Sequence, residues 1–223
     1  KSTFGRTFLC EYPYEGSIRY NGCELRNAAD NVRSGIISYL GHDPELFNDS
    51  VRNNVLLGDD YDVFEYLRAV CMDKEVEAME QGADTIIGSE GIRLSGGQAQ
   101  RIALARTLCH KKLVLVLDDP FSALDRNTEE QIYKKLKDMA SDNIVILISH
   151  RLYMFPKMDK VIWMDAGKAN VGTHKELMLE CPGYRKMYET VSAEECRAVE
   201  TQNEGLAAAK VVKNSRRVVD KHE

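Results

Sequence analysis

The chain reads as an α/β fold built on a parallel sheet, and three stretches of sequence carry that reading. Two near-continuous apolar runs, Leu113–Leu117 and Ile144–Ile148, have the length and branched-chain content of strands buried on both faces. Between them Ile132, Leu136 and Met139 fall on one side of an amphipathic helix, and strands joined through such a helix pair in parallel. Upstream, Leu94-Ser95-Gly96-Gly97-Gln98, with Arg101 close behind, opens a further helix on a serine and two glycines. That start leaves backbone N–H groups unpaired, permits close approach and presents the positive end of the helix dipole, an arrangement suited to an anion. Alone, the pentapeptide would be an ordinary Ser-Gly-Gly turn and helix cap.

The remaining elements follow in order. A helix is expected from Ser2 to about Cys10, broken by Pro13 and Gly16. Ser17–Tyr20 and Cys23–Leu25 flank Asn21-Gly22, the signature of a two-residue hairpin turn. Ile36–Leu40 is a short buried strand, followed by helices over about Ser50–Leu57, Val63–Met72 and Lys74–Gln81, and then Gly96–His110. After the βαβ unit, a strand over Lys160–Asp165 turns at Ala166-Gly167-Lys168 into a partner at Ala169–Gly172. Helices over about Lys175–Glu180 and Tyr184–Val191 close the domain, set at residues 1–192. Residues 193–223 lose apolar periodicity and carry a basic tail that suits a solvated extension or contact with lipid or a partner.

Bulk properties narrow the function. With 223 residues, 43% hydrophobic and 29% charged, the chain has the composition of a soluble globular domain with a full core. A net charge of −5 argues against wholesale nucleic-acid binding while allowing a local phosphate site. The aliphatic runs are too short to cross a bilayer, and the polar start carries no signal peptide. Six cysteines, with no CxxC pair, read as reduced thiols of a cytosolic protein.

Lys1-Ser2-Thr3 followed by a helix is what remains of a phosphate-cradling G-x-x-x-x-G-K-[ST] loop cut before its lysine. The chain is accordingly read as a fragment. Leu113–Leu117 then delivers Asp118 and Asp119 at a strand end, where nucleotide-binding α/β folds hold their metal; in isolation the pair would be solvated acids. His42 lies in Gly41-His42-Asp43-Pro44, Asp125 in Ser122-Ala123-Leu124-Asp125, and His150 in Ile148-Ser149-His150-Arg151. The ordered set resembles the nucleotide-binding domain of an ABC transporter over about Lys1 to Tyr188. The matches are the end of a Walker A loop, a Q-loop region at Tyr39–Phe47, the LSGGQ signature, a Walker B strand, a D-loop and a switch histidine. The segments Leu46–Asn54, Gly88-Ser89-Glu90-Gly91 and Gly172–Leu177 are similar to those of exporters.

That resemblance implies a P-loop NTPase (RecA-like) core with an antiparallel β edge subdomain and an α-helical signature subdomain. It implies ATP and magnesium as cofactors, with two such domains sandwiching two nucleotides at the cytoplasmic face of a membrane and a transmembrane domain upstream. By the resemblance, Lys1, Ser2 and Thr3 address phosphates, Ser2 and Asp118 the magnesium, Asp119 is the general base and His150 senses the γ-phosphate. Ser95, Gly96, Gly97, Gln98 and Asp125 serve the nucleotide across the dimer.

Three departures qualify it. The Walker A glycines and the adenine-stacking aromatic are missing, so the chain as given is expected to bind ATP poorly. Asp119 stands where a glutamate is usual, and His42 where a glutamine is. The last two fall on groups serving the chain's own nucleotide, whereas the signature is intact, which points to the weakened half of a heterodimer. A non-catalytic interaction module keeping the fold is the alternative. A soluble ABC-type ATPase of repair or translation is disfavoured by the lack of a coiled coil or basic linker.

Overall fold

The computed structural model describes residues 1–88, 91–165 and 167–192. They form two compact units, Lys1–Ser149 and a second beginning at His150. The exporter-like Ser89-Glu90, Ala166 of the expected turn, and the extension from residue 193 lie outside the described residues.

The first unit is organised by a parallel three-stranded sheet of β3 (Ile37–Leu40), β6 (Val114–Asp118) and β7 (Ile144–Ile148), with β6 in the middle. Leu40 pairs with Leu117 and Asp118 with Ile148, so the three strands end on one edge of the sheet. All five residues of β6 are buried, as expected of a central parallel strand. β7 is not. Ile144 is 60% exposed and Val145 37%, because β7 is the edge of this sheet and only its last residue is buried. The expectation of burial on both faces therefore holds for one of the two apolar runs.

Helix α1 (Ser2–Thr7) lies on the sheet through Gly5, where a Cβ would sit 2.8 Å from Ile148 Cδ1. It stops three residues short of the expected Cys10, which takes a left-handed φ of 58°. Next comes the antiparallel hairpin β1 (Arg19–Tyr20) and β2 (Cys23–Glu24), whose turn residues Asn21 and Gly22 both have positive φ, as a primed two-residue turn requires. Helix α2 (Asp30–Ile36) was not anticipated from the sequence, and it takes Ile36 away from the expected strand. It buries no residue, and its anchor is Arg33, which donates to the carbonyls of Leu25 and Ala28 and pairs with Asp30.

A helical group follows. Strand β4 (Asp49–Ser50) pairs antiparallel with β5 (Ile86–Ile87) and frames α3 (Val51–Leu56), α4 (Val63–Ala69) and α5 (Asp73–Glu77). The expected helices at Val63–Met72 and Lys74–Gln81 are thus shorter than anticipated. Helix α6 (Gly96–Cys109) packs on this group through buried Ile102, Ala103, Leu104, Ala105 and Leu108. Helix α7 (Arg126–Met139) crosses from β6 to β7 and buries Ile132 and Leu136, while Met139 is only partly covered.

The second unit contains the antiparallel ribbon β8 (Val161–Asp165) and β9 (Lys168–Gly172), then α8 (His174–Glu180) and α9 (182–192). Its core joins Val161, Leu177 and Tyr184. Thr173 and Glu176 close a reciprocal capping box at the start of α8.

Candidate functional site

The carboxyl ends of β3, β6 and β7 gather one set of sequence-selected residues, the position where open α/β sheets bind ligands. Asp118 ends β6, is 2% exposed, and accepts a hydrogen bond from the Tyr39 hydroxyl at 3.2 Å. Asp119 leaves the strand with a left-handed φ of 49°, and its N–H donates to the Ile148 carbonyl at 2.8 Å. Its side chain is buried, yet Oδ1 has no hydrogen-bond partner among the described residues. An orphaned buried carboxylate oxygen costs on the order of 1–3 kcal/mol, so its presence at a strand end argues for a partner supplied by ligand or water.

Lys1 Nζ reaches the same edge, donating to the Ser149 carbonyl at 3.3 Å. Ser2 and Thr3 are exposed on the first turn of α1. His42, just past β3, is exposed, with Nδ1 3.3 Å from Asp43 Oδ1. Its pKa is raised by its own backbone first, then by Asp43, with a contribution from the Asp119 charge. His150 is exposed and is the first residue of the second unit.

A second set surrounds the start of α6. Ser95 is its N-cap, at the surface, with Oγ accepting from Gln98 N–H at 3.3 Å while Gln98 Oε1 accepts from Ser95 N–H at 2.9 Å. This reciprocal box fixes the first turn and leaves the Gly96 and Gly97 donors without an intrahelical acceptor. The two glycines differ. A Cβ on Gly96 meets nothing within 4 Å, whereas one on Gly97 would sit 2.9 Å from the Ala123 carbonyl oxygen. The two sets are linked by the segment that leaves β6 at Asp119 and passes Gly97 at Ala123. Asp125 ends that segment as the cap of α7, accepting from Asn127 and Thr128 N–H at 3.0 Å each and from the Thr128 hydroxyl at 2.6 Å. Those bonds, the Thr128 hydroxyl foremost, hold its carboxyl below the usual value.

Two contributors were not assigned a role from the sequence. Tyr39 braces Asp118, and Glu75 of α5 contacts both Gln98 and Arg101. Among the described residues no group of three or more His, Cys, Asp or Glu is arranged to hold a metal.

Comparison with known proteins agrees with this fold. The family model described as "ABC transporter" matches residues 1–122. The chain belongs to the ABC transporter family. It is 34% identical over 195 residues to a probable multidrug resistance ABC transporter ATP-binding/permease protein of Bacillus subtilis, covering 85% of this chain and 33% of that one. To an ATP-dependent lipid A-core flippase of Alcanivorax borkumensis it is 34% identical over 189 residues, covering 82% and 32%. A solved bacterial Atm1-family ABC exporter with ATP bound superposes with a TM-score of 0.79 at 30% identity, covering 86% of this chain and 35% of that one. The domain thus has the P-loop NTPase α/β fold of an ABC nucleotide-binding domain whose relatives are exporters. It spans about a third of the length of these relatives. No helix among the described residues is long and apolar enough to cross a membrane.

Proposed function

We propose that this domain binds ATP with magnesium and powers export as the weakened half of an asymmetric pair of ABC domains, driving transmembrane helices elsewhere in a longer polypeptide. The observation that carries the reading is the buried, unpartnered Oδ1 of Asp119 beside Asp118 at the sheet edge. Lys1 supplies a positive charge for phosphate oxygens, Ser2 and Thr3 supply hydroxyls, and Ser2 with Asp118 holds the metal, Asp118 through water. Bound magnesium–ATP supplies the transferable phosphoryl group and the charge that draws a nucleophile toward it.

Asp119 orients a water and accepts its proton at Oδ1, with His42 contacting the same water shell and His150 acting as the γ-phosphate sensor. Aspartate and glutamate differ by only about 0.4 in reference pKa, so basicity does not separate them. Reach does: aspartate is one methylene shorter, and a misplacement of about 1 Å costs on the order of 10²-fold in rate. Turnover at the chain's own site is therefore slow. The Ser95 hydroxyl and the Gly96 and Gly97 backbone donors, held in place by Gln98, serve with Asp125 the nucleotide of the facing domain, which is the competent site. No nucleic acid takes part.

Purified full-length protein tests the asymmetry. As a homodimer it hydrolyses ATP slowly, and Asp119→Asn changes the rate of the natural heteromeric pair by less than about threefold. Brisk hydrolysis by the homodimer that Asp119→Asn abolishes would overturn the asymmetric reading.

A further inference from the structure

The proposal concerns Glu75 and rests on the reading that the start of α6 faces a second domain's phosphate. Glu75 is the middle residue of α5, far from the signature in sequence, yet both of its carboxylate oxygens are bonded to α6. Oε2 accepts from Gln98 Nε2 at 2.8 Å, and Oε1 pairs with Arg101 Nη1 at 2.8 Å. Arg101 also donates to the carbonyls of Cys71, at 2.8 Å, and Gly97, at 3.3 Å, and its side chain is only 11% exposed. Burial pushes the Glu75 carboxyl up, but Gln98 and Arg101 outweigh it and hold it below the ordinary value.

These contacts assign the polar groups of the signature turn. Both ends of the Gln98 amide are used inside the chain, one on Ser95 N–H and the other on Glu75. Arg101 has its Nε and Nη1 engaged and its charge matched by Glu75, so it braces the turn rather than reaching outward. The groups left to meet an anion are the Ser95 hydroxyl and the backbone donors of Gly96 and Gly97, and their direction is set by how firmly Gln98 holds the cap. We propose that Glu75 is a positioning residue, a strut from α5 that locks the Gln98–Ser95 box so that the glycine N–H groups face the opposite subunit's phosphate in one orientation. Positioning of this kind shows in affinity for the anion, since it removes the cost of ordering the turn at the moment of binding.

The test is ATP turnover by the natural heteromeric pair in liposomes, with apparent KM and kcat measured separately for three variants of this chain and a thermal midpoint recorded for each. Glu75→Ala is expected to raise KM about 10-fold, equivalent to ~1.4 kcal/mol, with kcat within about twofold of the parent. Glu75→Gln, which retains an oxygen to accept from Gln98, is expected to recover most of that loss and guards against a folding defect in the alanine variant. Gly96→Asp, whose side chain enters open space and sets a charge before the anion, tests the underlying reading and is expected to abolish turnover. Glu75→Ala with KM within about twofold of the parent, or Glu75→Gln as impaired as Glu75→Ala, would overturn the positioning role while Gly96→Asp still inactivates. An unaffected Gly96→Asp protein would overturn the reading beneath it.

Discussion

The two signature glycines are adjacent in sequence but sit in different surroundings, so alanine at each should act oppositely on stability. At Gly96 an added methyl meets nothing within 4 Å, and alanine removes some of glycine's backbone freedom from the unfolded chain. The gain is about 0.4–1 kcal/mol, which at ~2–4 °C per kcal/mol for a chain of this size raises the melting temperature by roughly 1–3 °C. At Gly97 the methyl lies 2.9 Å from the Ala123 carbonyl oxygen, a backbone atom that yields only if the whole 119–125 segment shifts. Overpacking of that kind costs about 1–3 kcal/mol, from which the same helix gain subtracts, leaving a net loss centred on ~1.3 kcal/mol and a fall of about 3–5 °C. Differential scanning calorimetry on the two single variants measures both. Equal shifts, or a more stable Gly97→Ala, would refute the packing argument.

Three further outcomes follow from the coordinates. Arg106→Lys should lower stability by about 1–3 kcal/mol in chemical denaturation. Lysine cannot reproduce the fork that contacts Asn54 O at 2.6 Å, Asn54 Oδ1 at 2.8 Å and Glu45 O at 3.0 Å, nor its stacking over Phe47. Glu24 is held at about 2, from an ordinary 4.5, by the Ser17 hydroxyl first and then by Ile18 N–H, Tyr14 and Arg26 against a desolvation penalty. Because its folded value is depressed, its stabilisation of the hairpin is complete above pH 4.5 and lost as pH falls through 2. A carboxyl NMR titration places the midpoint, and a value near 4.5 would contradict the assignment. Tyr184→Ala should destabilise the second unit by about 3–5 kcal/mol, since the ring is fully buried between Phe155 and Trp163 with its hydroxyl 2.7 Å from His174 Nδ1. Trp163 is the sole tryptophan, so its emission reports the loss directly.

How much was legible in the sequence depended on how local the cause was. Asn21-Gly22 specified a primed turn because two adjacent residues had to accept positive φ, and both do. The βαβ unit and the helix opening at Ser95 were legible through periodicity and capping chemistry. Helix α2 was not, because none of its residues is fully buried, only Ile36 leans on the core, and it is anchored by Arg33 reaching back to Leu25 and Ala28. The β4–β5 pair escaped because each strand is two residues long and its partner lies a whole helical group away. Exposure of β7 could not be read either, since apolar runs look alike whether a strand is central or at an edge. At the candidate site, the motif residues announced themselves by type and order. The groups that brace them, Tyr39 under Asp118 and Glu75 under Gln98, depend on tertiary distances that no spacing encodes.

The backbone at Asp119 has a bearing on evolution and engineering alike. Its φ of 49° belongs to the left-handed region, where aspartate and asparagine are several-fold enriched among non-glycine residues. The same residue's N–H ties the end of β6 to the Ile148 carbonyl, so its backbone torsion and that contact move together. An Asp119→Glu variant therefore gives up part of that local preference, which the 119–125 loop recovers only by relaxing along with it.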